Sequence, residues 1–94
     1  MHMKIEISED VVWRELGGEV VILDLATNHY FGLTGSGNDI WRLIAEYGST
    51  DKALSELNDA YDGVDPEKLR EDFEKFVNEL SQKGMLRVSA AENG

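Results

Sequence analysis

Two β-branched, apolar runs divided by Gly17-Gly18 constrain this chain more than any other feature. Val11-Val12-Trp13-Arg14-Glu15-Leu16 and Glu19-Val20-Val21-Ile22-Leu23-Asp24-Leu25 both suit strands. A Gly pair between them accepts the positive φ angles that a two-residue turn demands, so a hairpin is predicted. An Ala26-Thr27-Asn28 corner, with Asn tolerant of left-handed geometry, leads into a third strand from His29 to Leu33. A three-stranded antiparallel meander is the expected result. Residues 4–10 alternate weakly and form a candidate lead-in strand.

Beyond Leu33 the apolar period changes from two to that of a helix. A polar, Gly-rich corner runs from Thr34 to Asn38, and a helix is predicted from about Asp39. Ser36, with Asp39 three residues on, resembles a capping box. Ile40, Trp41, Leu43 and Ile44 follow at helical spacing until Tyr47-Gly48. Ser49 or Thr50 caps a second helix with Ala53, Leu54, Leu57 and Tyr61 as its stripe, ending in Asp62-Gly63. Asp65-Pro66-Glu67 opens a third: Asp caps, Pro takes the first helical position and Glu faces the positive helix end. Leu69, Phe73, Phe76, Val77 and Leu80 make its apolar face, and Lys83-Gly84 closes it. Met85-Leu86-Arg87-Val88 is a candidate last strand. The layout predicts an α+β fold, three strands and then three helices, compatible with a winged-helix-like domain.

Ninety-four residues fit one domain. Its core is expected over about residues 5–88, with Met1-His2-Met3 read as a tag remnant and 89–94 as a flexible tail. No apolar run approaches the length of a transmembrane helix and no secretory signal is visible, so a cytoplasmic chain with no membrane partner is expected. The absence of cysteine fits that compartment. The net charge of −10 is spread evenly: residues 1–47 carry 3 basic and 8 acidic groups, and residues 48–94 carry 6 and 11. Such a field repels a phosphate backbone, so nucleic acid is not expected as a partner and a basic peptide or protein face is favoured.

Constellations that carry chemistry are thin. His29 is the one histidine outside the tag-like start, so a His-based metal site would need carboxylate partners alone. Glu67, Glu71 and Glu74 sit at helical spacing and read as a solvated face. Asp59, Asp62 and Asp65 lack the Gly and terminal Glu of a calcium loop. Thr34-Gly35-Ser36-Gly37 lacks the Lys and full Gly spacing of a phosphate cradle. No catalytic residue, metal or cofactor is predicted.

Taken together, the motifs resemble the PqqD-like family, leader-peptide recognition domains of ribosomally made, modified-peptide pathways. The resemblance runs from about Val11 to Leu86. Its marks are the strand Glu19-Val20-Val21-Ile22-Leu23-Asp24 and Thr27 to Tyr30 at a family "Thr-Gly-x-Tyr" turn. Phe31-Gly32-Leu33-Thr34 stands at a "Tyr/Phe-x-Leu-Asn" position, and Gly37 with Ile40-Trp41 at "Gly-x-x-x-Trp". The segment Phe76 to Leu86 resembles a closing "Leu-x-x-x-Gly-Leu". Thr34 departs from the family's frequent Asn, a modest change because Thr also hydrogen-bonds backbone at a corner. The Leu-x-Pro-Glu pattern of pyrroloquinoline quinone pathway members is absent, which shifts the resemblance toward stand-alone members of other pathways, such as those for lasso peptides.

The resemblance implies a non-catalytic adaptor that captures a precursor's leader by strand addition and presents it to a maturation enzyme: a protease, a cyclase or a radical SAM enzyme. The leader is then expected between the third strand and the third helix. Its contacts would be His29, Tyr30, Phe31, Gly32 and Leu33 on the strand, with Phe73, Phe76, Val77 and Leu80 as an apolar wall and Asp72, Lys75 and Glu79 at the rim. Main-chain hydrogen bonds give affinity in this mode and side-chain pockets give selectivity. The third strand has a free edge unless the Met85–Val88 strand covers it. Tyr30 and Phe31 point to opposite faces, so at most one of them is core. Trp13 and Trp41 are assigned to the core. The alternatives are a winged-helix DNA-binding or regulatory domain, which would need a basic recognition helix where Glu71, Asp72 and Glu74 stand, and an oligomerisation module.

Overall fold

A computed structural model of the chain describes residues 3–90. The order is β1 (Met3–Ile7), β2 (Val11–Leu16), β3 (Glu19–Asp24), β4 (His29–Gly32), α1 (Ser36–Tyr47), α2 (Thr50–Ala60), α3 (Pro66–Gln82) and β5 (Leu86–Ala90). β2, β3 and β4 form the meander, in that spatial order, and β1 pairs with β5 in a separate two-stranded sheet. The Gly pair turns the hairpin with φ 59° at Gly17 and 84° at Gly18, the two positive angles of a type I′ turn. Asn28, at φ 61°, makes the next corner. β2 then runs antiparallel to β3 from Leu16↔Glu19 to Val11↔Asp24, and β3 to β4 from Val21↔Gly32 to Asp24↔His29.

Three expectations need correction. The first helix begins at Ser36, not near Asp39, and its cap is Gly35 with no side-chain bond, so Ser36 and Asp39 form no capping box. The Asp39 carboxylate is engaged elsewhere: it accepts from Arg42 Nη1 at 3.0 Å and from the Tyr61 hydroxyl, which holds the Tyr61 phenol above its ordinary pKa. Met3 belongs to the fold, pairing with Ala90 and donating its N–H to Thr50 Oγ1 at 3.1 Å. Ser89 and Ala90, read as tail, complete β5. The remaining positions of both terminal segments, 1–2 and 91–94, lie outside the described residues. The other helix ends follow their local chemistry. Asp65 Oδ1 accepts from Glu67 N at 3.0 Å, Ser49 accepts from Lys52 N, and Gly84 at φ 79° ends α3.

One core joins both sheets to the helices, with Ile5, Val20, Ile22, Ile40, Trp41, Ile44, Leu57 and Met85 at its fully enclosed centre. Trp41 meets half-buried Trp13 edge to face, with ring centroids 6.1 Å apart. Two polar clamps hold the meander on α1. Arg42 reaches back to Glu15 and to the Gly18 carbonyl at 2.9 Å. Asn38, buried at the start of α1, accepts the Val20 N–H on its Oδ1 at 2.6 Å and donates from Nδ2 to the Gly35 carbonyl. β4 ends at Gly32, and although Leu33 N–H still donates to Val20 C=O, the return bond is not made to Leu33: Asn38 supplies the acceptor that the Leu33 carbonyl would have offered in a continued ladder. Asn38→Ala leaves a buried N–H unpaired and is expected to cost about 1–3 kcal/mol, read as a lower urea midpoint at unchanged m.

Candidate functional site

The register fixes which main-chain groups of β4 are free. Leu33 N–H donates to Val20 C=O at 2.9 Å, so Leu33–Val20 is a hydrogen-bonded pair. By the two-residue period of an antiparallel ladder, Phe31–Ile22 and His29–Asp24 are the others. Tyr30 and Gly32 therefore turn N–H and C=O away from β3, toward the open side. β5 does not cover that side, because its partner is β1. β2 is the sheet's other edge, and part of it is closed by the Val11 N–H bond to Ser8 C=O.

Side chains of β4 alternate as the pleat requires. Phe31 packs half-buried against the core, with the His29 ring edge-on at 6.4 Å and the Lys83 ammonium 5.1 Å from its centroid. Tyr30, on the opposite face, is 72% exposed. Gly32 has open space where a Cβ would stand, so another backbone can approach there without meeting a side chain.

α3 supplies the second wall. A Cβ placed on Gly37 would lie 3.3 Å from Phe76 Cε1 and 3.9 Å from Leu33 Cβ, so the end of β4, the start of α1 and the middle of α3 meet at one point. The cleft there, about 270 Å³, is lined by Ser36, Gly37, Ile40, Asp72, Lys75, Phe76 and Glu79. The structure thus brings Asp72, Lys75, Phe76 and Glu79 together beside Leu33. It does not bring Phe73, Val77 and Leu80 with them: these face the core, each under a tenth exposed. Along one helix, positions 69, 73, 77 and 80 share the buried stripe, whereas 72, 75, 76 and 79 lie one position round from it. Asp72 also holds Lys68 at 3.4 Å.

Ser36, Gly37, Ile40 and Lys83 border the cleft or β4, and sequence reasoning did not select them. Gly37 carried the one usable signal, its place in the Gly-x-x-x-Trp pattern; in the structure it lies in the first turn of α1 with no positive φ, so its glycine serves close packing rather than a turn. A larger cavity of about 430 Å³ lies between α2, α3 and the β1–β5 sheet, away from β4, with Thr50, Leu54, Phe73 and Val88 in its lining. Among the described residues no three His, Cys, Asp or Glu side chains gather as a metal site. No helix among them is long and apolar enough to cross a membrane.

An open strand edge running beside an amphipathic helix is the architecture of domains that take up extended peptides as an added strand. The chain belongs to the PqqD family: the family model described as coenzyme PQQ synthesis protein D (PqqD) matches residues 19–86, from the start of β3 to the start of β5. Among solved structures, "TbiB1 in Complex with the TbiA(beta) Leader Peptide" is similar with a TM-score of 0.81 and 32% identity, over 93% of this chain and 99% of that one. A search of the curated proteins finds no match. The resemblance carried by the strand, turn and Gly-x-x-x-Trp motifs holds at the level of the family, and the α+β architecture holds with it.

Proposed function

We propose that this chain is a non-catalytic, cytoplasmic adaptor that binds the leader segment of a ribosomally made precursor peptide and hands it to a maturation enzyme. The observation that carries the reading is the outward-facing pair Tyr30 and Gly32 on an edge that no described strand covers, next to the α3 cleft, in a chain similar to one solved with a leader peptide. In this reading the leader pairs along His29–Leu33 through the main chain of Tyr30 and Gly32. Its alternate side chains enter the cleft against Phe31, Leu33 and Phe76, whereas Asp72, Lys75 and Glu79 meet its polar groups at the rim. Phe73, Val77 and Leu80 hold the wall from behind. The rim charges affect association rate more than affinity.

Titration with labelled leader from the precursor encoded beside this chain is expected to give a Kd on the order of 1 µM, about 8 kcal/mol. Amide resonances of residues 29–33 and 72–79 should shift together. If no such peptide moves them, the proposal fails. A protease, a cyclase or a radical SAM enzyme is the recipient that fits such a pathway. The DNA-binding alternative gains no support from α3, which carries exposed Glu71 and Glu74 and half-buried Asp72 in a chain of net charge −10.

A further inference from the structure

The meander has a second face that its own core does not use. Cross-strand rows place Val12, Leu23 and Tyr30 side by side on it, with Arg14, Val21 and Gly32 in the next row. Leu16 follows at the hairpin. Val12 is 49% exposed and Leu16 58%, and these side chains surround a shallow depression of about 440 Å³. An amphipathic sheet with one face on the core ordinarily presents polar side chains on the other. Here that outer face is apolar apart from Arg14 and, beside the turn, Glu19. Apolar surface gathered in this way marks an interaction site.

Two observations select the occupant. A second copy would bring another net charge of −10 against this one, which opposes self-association through the face. The face is also continuous with the β4 edge, because Tyr30 belongs to both: its main chain faces the open side and its side chain stands on the outer surface. A strand added to that edge would extend the same surface with its own alternate side chains.

We infer that the outer face of the meander, widened by the bound leader, is where the maturation enzyme docks, through an apolar patch carrying a carboxylate opposite Arg14. This rests on the leader-binding reading above and adds to it a means by which delivery is coupled to capture: the complete surface exists only when the leader is in place.

The test uses the full chain with Val12→Glu, Leu16→Glu and Arg14→Glu made singly, against the purified, full-length maturation enzyme encoded beside the precursor, with and without leader. Each variant is expected to weaken enzyme binding in the presence of leader at least tenfold, while leader affinity stays within twofold of the parent. The parent is expected to bind the enzyme more tightly with leader than without. Enzyme binding within twofold of the parent in all three variants overturns the inference. A concentration-dependent dimer of the parent, abolished by the same substitutions, overturns it in favour of a second copy. Failure of the parent to bind leader strikes the adaptor reading instead, and the arm run without leader still judges the face itself.

Discussion

Replacing Gly32 with proline is expected to weaken leader binding about 5- to 150-fold, the factor that corresponds to the roughly 1–3 kcal/mol cost of leaving a buried acceptor unpaired. The expectation follows from the register. Gly32 stands opposite Val21 in a pair that is not hydrogen-bonded to β3, so its N–H faces the outer edge and belongs to no ladder among the described residues. Proline removes that donor and nothing else from the meander. An edge position whose N–H faces outward is where a strand tolerates proline. The preceding Phe31 is already extended, as a pre-proline residue should be. Gly32 has no positive φ, and no atom stands within 4 Å of the position its Cβ would take. The substitution should therefore leave the unfolding free energy from urea titration within about 1 kcal/mol of the parent. Gly32→Ala is the partner measurement: it adds the Cβ and keeps the N–H, so binding close to that of the parent assigns the proline effect to the lost hydrogen bond. Equal loss in both variants would instead point to crowding, and no loss in either would mean that the leader does not lie along this edge.

What the sequence disclosed divides along the range of the interactions involved. The hairpin at Gly17-Gly18, the corner at Asn28 and the Asp65-Pro66 helix start are each decided by a few adjacent residues, and each stands where local chemistry places it. The β1–β5 sheet is decided by neighbours more than eighty positions apart, Met3 against Ala90 and Ile5 against Val88. Nothing in a window of ten residues signals that pairing: residues 4–10 and 85–88 each read as a candidate strand with no partner assigned, while Met3 read as remnant and Ser89 and Ala90 as tail. The consequence for function is direct: β5 is occupied with β1, and no described strand pairs with the outer edge of β4. The start of α1 departs from its local pattern for a related reason. Ser36 and Asp39 satisfy a capping pattern, but tertiary partners claim Asp39, and Gly35 takes the cap. For α3, periodicity identified an apolar face without saying which of its members form the seam. Phe73 and Phe76 are three positions apart and look alike in sequence, yet Phe73 fills the core whereas Phe76 stands half-buried against Gly37. That distinction depends on how closely α1 approaches α3, and the missing side chain of Gly37 permits it.

Trp41→Ala is expected to be the most damaging single substitution to stability, costing about 3–5 kcal/mol. Trp41 is fully enclosed on α1, where it meets Trp13 of β2 edge to face and lies in one buried cluster with Val20 and Ile22 of β3. Its ring thus lies at the seam between the meander and the helices, and the edge-to-face pair adds about 0.5–1.5 kcal/mol to what area alone provides. Its indole N–H finds no hydrogen-bond acceptor among the described residues, so truncation forfeits packing rather than a polar contact. A domain of this size has about 5–15 kcal/mol in total, so the loss is a large fraction of it. The melting temperature should fall by at least about 12 °C, at roughly 4–8 °C per kcal/mol. Trp41→Phe, which keeps most of the ring and removes the unpaired N–H, should fall between the parent and Trp41→Ala. The same pair separates support from contact at the binding edge. Trp41 does not line the cleft beside β4, so leader affinity per folded molecule should be unchanged below the shifted transition. Loss of affinity in Trp41→Ala at a temperature where circular dichroism reports it fully folded would mean that α1 sets the shape of the cleft through Trp41, and that core and site are one mechanical unit.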